Sequence, residues 1–201
     1  IMIINFSVEN FGSIKEKQTL SFEADKSSLL EDYYVMEVDG LRLLKIAFIY
    51  GANASGKTTI LKAIDFLRDL VLEPKEKKTE ELGFNPFLFD PNTPMQNSIL
   101  SIEFIHHGIR YFYEIELFKQ AVVKESLFFY APKKANVFKR QTDVKNQVTE
   151  ITFGSKIRTD TVFKKTLEAN TLWNNSVLGG FLKTNIELNE LKEVKEWFED
   201  F

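Results

Sequence analysis

Alternation of apolar and polar residues predicts strands at the start of the chain. Residues 2–8 predict an N-terminal strand, and residues 18–24 alternate like a second strand after the turn at Gly12 and Ser13. We expect these two strands to pair. Residues 43–50 form a mostly apolar run, which is typical of a buried strand.

Helical spacing follows soon after this run. Apolar residues recur at positions 60, 61, 63, 64, 67, 70 and 71, which predicts a helix over residues 58–72. Pro74 and the charged run 73–81 break the pattern, so we expect the helix to end near Leu72. We interpret the charged run as a solvated surface connection.

Period-two alternation returns in the middle of the chain and gives way to helical spacing after Gly154. Strands that favour an antiparallel sheet with one wet face are predicted at residues 98–105, 109–118, 122–130, 136–140 and 147–153. Helices are predicted at residues 156–170, 172–182 and 186–201. The last helix carries an apolar stripe that must pack on something, formed by Leu188, Leu191, Val194, Trp197, Phe198 and Phe201.

A phosphate-binding loop is predicted between the apolar run and the first long helix. The pattern G-x-x-x-x-G-K-[ST] is matched by Gly51, Ala52, Asn53, Ala54, Ser55, Gly56, Lys57 and Thr58. Glycines let backbone N–H groups converge on phosphates, and a helix N-terminus favours anions. We therefore predict a nucleoside triphosphate site in which Lys57 neutralises the phosphates, Thr58 ligates Mg²⁺ and Thr59 contacts the α-phosphate.

Composition excludes few other classes of function. The 201 residues are 44% hydrophobic and include 19 Phe, enough for one globular unit with a buried core. The 26 basic and 29 acidic residues give a formal charge of −3, so there is no global electrostatic case for nucleic acid. The chain has no cysteine, which excludes disulfides and thiolate metal sites. The sequence shows neither an apolar stretch of membrane-spanning length nor a signal peptide, and we expect a cytoplasmic protein.

Several motifs together resemble one family of ATPases. They are the opening segment at residues 8–14, the phosphate loop at residues 50–58, the Asn-Pro-Phe at residues 85–87 and the Glu-Ser-Leu at residues 125–127. In combination they resemble the N-terminal lobe of ABC-type AAA ATPases, a group related to the SMC, RecF and OLD-type ATPases and found in phage-defence and retron-like systems. The resemblance implies an α/β fold of P-loop NTPase type. It would have a mixed sheet around the Walker A helix, an antiparallel β subdomain and C-terminal helices.

The resemblance also implies a division of the chain within one nucleotide-binding lobe. Residues 1–72 would form the core strands, loop and helix, residues 83–153 an antiparallel insert, and residues 156–201 a helical segment. Such ATPases further need a signature motif and a Walker B run ending in Asp-Glu. Residues 87–90 end in Asp but lack the glutamate, and residues 178–181 lack the flanking Ser and Gln, so we interpret them as a strand end and a helix break. We therefore expect a second lobe, later in a longer protein or on another polypeptide.

Two classes of function remain open. The first is an ATPase half that binds ATP and Mg²⁺, turns over slowly alone, dimerises through the nucleotide site and switches an effector such as a nuclease or toxin, in anti-phage defence by resemblance. The second is a regulatory or DNA-associated scaffold module that binds nucleotide without hydrolysis. A small-molecule kinase is disfavoured because no lid arginines follow the loop.

Other residues offer weaker candidates. By resemblance, Asn10 and Ser13 are nucleotide contacts, with plain turn chemistry as the alternative. Tyr33 and Tyr34 offer a platform for adenine stacking, although core packing is commoner. Positions 106 and 107 are both histidine. Successive residues of a strand point to opposite faces of the sheet, so we interpret these two histidines as polar residues of a turn rather than as a metal site.

A basic and aromatic segment spans residues 124–145. Its cations are Lys124, Lys133, Lys134, Lys139, Arg140 and Lys145, and its aromatic residues are Phe128, Phe129, Tyr130 and Phe138. Interleaved cations and rings are one way to bind DNA or RNA. Given the overall negative charge, we favour a solvated basic face of a two-stranded sheet.

Overall fold

Strands predominate up to residue 153 and helices follow in this computed structural model, which describes residues 2–53 and 55–201. The strands are β1 (Met2–Glu9), β2 (Gln18–Ser21), β3 (Val35–Val38), β4 (Leu41–Leu44), β5 (Ser98–His106), β6 (Ile109–Phe118), β7 (Ala121–Tyr130), β8 (Lys134–Asp143) and β9 (Val148–Phe153). The helices are α1 (Glu31–Tyr34), α2 (Lys57–Leu72), α3 (Thr161–Asn170), α4 (Val177–Leu182) and α5 (Asn189–Asp200), with a 3-10 turn at Thr93–Met95.

Seven of the strands form one sheet in the order β2-β1-β5-β6-β7-β8-β9. The predicted pairing of the two N-terminal strands is confirmed, and so are the five predicted strands in the middle of the chain. Every pairing in the part of the chain that the structure describes is antiparallel, so the predicted mixed sheet is wrong there. The physical reason is that β5 to β9 follow one another through short hairpin turns, which can join only antiparallel neighbours.

A layer of helices covers one face of this sheet. The predicted helix after the loop is confirmed as α2, and it packs on β1, α4 and α5. The apolar stripe of the last helix is also confirmed, because Leu191, Val194, Trp197 and Phe198 are all buried. The indole of Trp197 stacks on Phe104 of β5 with 3.9 Å between ring centroids. No helix in the described ranges is long and apolar enough to cross a membrane.

The predicted buried strand at residues 43–50 is wrong for most of its length. β4 ends at Leu44, pairs with β3 and forms an isolated bridge to Glu23, and the residues that follow have no regular structure. Phe48 is 69% exposed and Tyr50 is 85% exposed. Among the described residues no strand pairs with residues 45–50, so the backbone of this part of the run has no ladder to join.

Two short motifs also differ from their predicted structures. Gly179 and Gly180 lie buried inside α4 rather than at a helix break. A Cβ at Gly180 would come within 2.1 Å of Oγ1 of Thr171, so the glycine permits this close approach. Residues 87–90 are not the end of a strand, because the chain has no regular secondary structure there.

Candidate functional site

The predicted phosphate loop leads directly into α2. Helix α2 begins at Lys57, with Gly56 as its N-cap residue, and runs for 16 residues. Gly51, Ala52, Asn53 and Ser55 are exposed, whereas Ala54 lies outside the described residues. The loop is therefore a solvent-facing turn at the N-terminus of the longest helix.

Lys57 braces this loop through its ammonium group. Its Nζ donates hydrogen bonds to the main-chain oxygens of Gly51 and Ala52, both at 2.7 Å, and lies 3.5 Å from Oγ of Ser55. The positive charge is thus held at the end of α2 where the helix dipole is also positive. No acidic residue lies in the first turn, and no described side chain caps the helix through a hydrogen bond. This end of α2 is therefore electropositive, and its donors suit an anion.

Two glycines give the loop its shape. Gly56 has φ +91°, a left-handed conformation that costs any other residue free energy. A Cβ at Gly51 would come within 2.6 Å of Oγ of Ser55, so that hydroxyl would have to move. Gly56 therefore permits the sharp backbone turn that leads into α2.

The threonines after Lys57 have different surroundings. Thr58 is exposed on the first turn of α2, where its hydroxyl is accessible. Thr59 is partly buried, and its Oγ1 lies 2.7 Å from Oγ of Ser13 in the N-terminal turn. A Cβ at Gly12 would come within 2.9 Å of Cγ2 of Thr59, so this turn lies directly against the start of α2.

Asn10 anchors the N-terminal turn instead of facing solvent. It is 3% exposed, and its Nδ2 donates to the main-chain oxygens of Thr93 at 2.9 Å and Gln96 at 3.1 Å. Its Oδ1 accepts from the N–H of Phe87 at 3.0 Å. The side chain is therefore used in holding residues 87–97 against the turn, and Ser13 is the exposed polar group of this segment.

The aromatic side chains before the loop are not in the core. Tyr33 is 74% exposed and Tyr34 is 49% exposed, so the core-packing alternative is wrong for both. Phe48 and Tyr50 are closer in sequence to the loop, and their ring centroids lie 6.2 Å apart. An exposed aromatic pair thus precedes the loop, where a buried strand is predicted from the sequence.

Asp90 does not behave as a free catalytic carboxylate. Its Oδ2 lies 2.8 Å from Nζ of Lys15. That hydrogen bond, together with one from the backbone at Asn92, holds the pKa of Asp90 below its ordinary value. The carboxylate is therefore paired with a lysine, in a segment that is not the predicted strand end.

The side chains of the basic and aromatic segment, residues 124–145, lie on both faces of the sheet. Phe138 and Arg140 face the helices and are buried, so they cannot contribute to a surface. On the opposite face, Nζ of Lys134 lies 4.5 Å from the ring centroid of Phe112 and 4.4 Å from that of Phe128. Lys124 is paired with Glu116 at 3.2 Å. This face is solvated and carries both charges, but β7 and β8 lie within the seven-stranded sheet, so the predicted two-stranded sheet is wrong.

Glu125 and Arg140 form a buried ion pair between β7 and β8. Their side chains are fully buried and lie 3.3 Å apart. Oε2 of Glu125 accepts from the N–H of Val177 at 2.8 Å, and Oε1 accepts from the hydroxyl of Tyr113 at 2.8 Å. Arg140 donates to the main-chain oxygens of Leu172, Trp173 and Asn175. The pair thus ties the sheet to the loop before α4.

Burial acts on both members of this pair. It raises the pKa of the Glu125 carboxyl and lowers the pKa of the Arg140 guanidinium, because a charged group loses hydration inside the protein. Each partner's charge opposes that effect. The motif at residues 125–127 that contributes to the family resemblance therefore has a structural role.

The chain matches the model of a known protein family. A family model described as “AAA domain, putative AbiEii toxin, Type IV TA system” matches residues 46–176, well over half of the chain. The matched range includes the phosphate loop, α2 and all strands from β5 to β9. No curated protein matches the chain.

Proposed function

We propose that this chain, which belongs to that AAA domain family, is the ATP-binding lobe of an ABC-type ATPase. The observation that carries the proposal is the arrangement of Lys57, whose ammonium lies inside an exposed glycine loop at the uncapped N-terminus of α2. An electropositive helix end with free backbone donors is suited to a triphosphate.

The proposed roles follow from where each group lies. Backbone N–H groups of residues 53–58 would cradle the phosphates, and Lys57 would neutralise their charge. The exposed hydroxyl of Thr58 would ligate Mg²⁺, and Thr59 would contact the α-phosphate while Ser13 orients its hydroxyl. When bound, ATP with Mg²⁺ supplies a phosphoanhydride bond whose leaving charge the metal neutralises.

Hydrolysis is proposed to need a second lobe. Asp90 is paired with Lys15, and the apolar residues Ile46, Phe48 and Tyr50 are exposed beside the loop. Their pattern suits a strand, so we propose that a lobe with the signature and Walker B motifs packs on this run. In this proposal residues 1–201 are one nucleotide-binding lobe, ATP closes two protomers on each other, and closure switches an effector such as a nuclease or toxin, in anti-phage defence.

Two substitutions of Thr58 test whether its hydroxyl ligates Mg²⁺. Thr58→Ala removes the hydroxyl, whereas Thr58→Ser keeps it. We expect alanine to weaken ATP binding in Mg²⁺ by about tenfold, since a hydrogen bond or ligand to a charged group contributes about 1.5 kcal/mol or more. Serine should bind within about twofold of the parent. Calorimetry with and without Mg²⁺ measures this, and an equal loss in both variants would contradict the role.

Turnover distinguishes the ATPase from the non-hydrolysing alternative. We expect phosphate release by this chain alone to be about a thousandfold slower than with its second lobe, because a missing water-orienting carboxylate and missing dipoles add about 4 kcal/mol to the barrier. Acceleration on adding that lobe supports the ATPase. No acceleration in a mixed complex supports the regulatory module, and fast turnover by the chain alone would contradict the division of roles.

A further inference from the structure

A cluster of metal-ligating side chains lies away from the phosphate loop. It joins the turn between β5 and β6 to helix α5 and consists of His106, His107 and Glu193. One ligand atom from each residue lies within 4.8 Å of the others. These three residues have no part in the function proposed above.

The turn geometry brings the two histidines together. His107 has φ +47° and Gly108 has φ +76°, which is the backbone of a tight two-residue hairpin turn. His107 is therefore not a strand residue, and its ring centroid lies 3.9 Å from that of His106. The expectation that these neighbours point to opposite faces is wrong because it assumed extended backbone at both positions.

Glu193 completes the cluster from α5. Its Oε2 lies 2.7 Å from Nδ1 of His107 and 3.7 Å from Nε2 of His106. Two ligands about 2.1 Å from a tetrahedral ion are separated by roughly 3.4 Å. The His106 distance suits that separation, and the shorter His107 distance can widen because the His107 side chain is 66% exposed.

His106 supplies an independent observation. Its side chain is 11% exposed, and its buried Nε2 has no hydrogen-bond partner among the described residues. A buried polar atom without a partner needs an explanation, and a bound ion is one.

The charges around the cluster favour a cation. The negative charges of Glu196 and Asp200, both on α5, act to raise the pKa of His106. The negative charges of Glu190 and Glu193 likewise raise the pKa of Tyr111 in β6. A dication at this position would lie beside the Glu193 carboxylate. The charges of Glu196 and Asp200 would also attract it, although Lys192 pairs with Glu196 at 3.7 Å.

We propose that His106, His107 and Glu193 bind one divalent transition-metal ion of the Zn²⁺ class. Two imidazoles and one carboxylate select such an ion over Mg²⁺ or Ca²⁺, which prefer oxygen ligands. Three protein ligands leave the fourth position open. The ion links α5 to the β5–β6 turn, next to the place where Trp197 packs on Phe104. It thereby fixes the C-terminal helix against the sheet.

The test is titration of Zn²⁺ into tag-free protein, with metal content measured after dialysis. We expect one ion per chain and a raised thermal unfolding midpoint, both unaffected by millimolar Mg²⁺. His107→Ala and Glu193→Gln should each weaken Zn²⁺ binding by at least about tenfold, since loss even of an outer-shell partner costs that much. The control is Glu199→Gln, whose glutamate pairs with Lys195 on the same helix and should leave affinity unchanged.

Two further measurements decide the assignment. Bound Co²⁺ should show the visible absorption of a low-coordinate site in the parent protein and lose it in His107→Ala. Lys57→Ala should bind Zn²⁺ with the same affinity as the parent protein. The nucleotide-site proposal and the metal-site proposal can therefore be refuted separately. Equal Zn²⁺ affinity in the parent, His107→Ala and Glu193→Gln, with all three folded by circular dichroism, would overturn the proposal.

Discussion

Replacing Lys57 with alanine should lower the affinity for ATP by at least about 100-fold, enough to abolish measurable binding at ordinary concentrations. The ammonium is the one charge held inside the loop, and it also joins the oxygens of Gly51 and Ala52 to the helix end. The variant therefore loses both the attraction to phosphate and the brace that shapes the loop. Calorimetric titration of ATP in Mg²⁺ measures the loss.

The matched control for this prediction is Lys62→Ala. Lys62 is an exposed lysine further along the same helix, so its removal changes the net charge by the same amount. We expect Lys62→Ala to bind ATP within about threefold of the parent, because the loss of an exposed charge more than a turn away is screened by solvent. Unchanged affinity in Lys57→Ala would show that the loop is not the nucleotide site.

Removing one partner of the buried Glu125–Arg140 pair should reduce the free energy of unfolding by about 3–5 kcal/mol. Glu125→Ala leaves the Arg140 guanidinium without its counter-charge, and Arg140→Ala leaves the carboxylate in the same condition. Either change also loosens the loop before α4, which both side chains hold. Denaturant unfolding followed by circular dichroism measures the loss.

Lys124→Ala is the control for the buried pair. Lys124 neighbours Glu125 in β7, but it pairs with Glu116 on the wet face of the sheet, and its side chain is 54% exposed. We expect this variant to lose less than about 1 kcal/mol, as exposed ion pairs usually do. A similarly small loss in Arg140→Ala would mean that the loop before α4 is held by other contacts.

The sequence predicts the parts of the fold that depend on local periodicity. The strands from β5 to β9 and helix α2 appear close to their predicted places, because alternation and helical spacing are properties of neighbouring residues. The stripe on α5 was predicted for the same reason. The phosphate loop was found because its glycines, lysine and threonine have fixed spacing, and the family match includes it.

Features that depend on distant partners were not predictable in this way. The run at residues 43–50 is apolar enough for a buried strand, but hydrophobicity does not reveal whether a neighbouring strand is present. The segment before α4 was predicted as helix, yet Asn174 and Asn175 are buried in it. Their side chains bond to main-chain atoms of Lys75 and Lys77, about 100 residues earlier in the chain.

The histidine pair shows a different limit. Whether His106 and His107 share a face depends on the sign of one φ angle in a two-residue turn. His107 followed by Gly108 is compatible with such a turn, since glycine favours positive φ, so a signal for it was present in the sequence. The contribution of Glu193 depends on the docking of α5, which only the tertiary structure provides.

The most direct test of the central claim is calorimetric titration of ATP with Mg²⁺ into this chain. We predict saturable binding of one nucleotide per chain, because in our proposal the loop, Lys57 and the end of α2 form the phosphate site. Absence of saturable binding by folded protein would contradict it. That result would mean that the electropositive end of α2 does not serve as a nucleotide site.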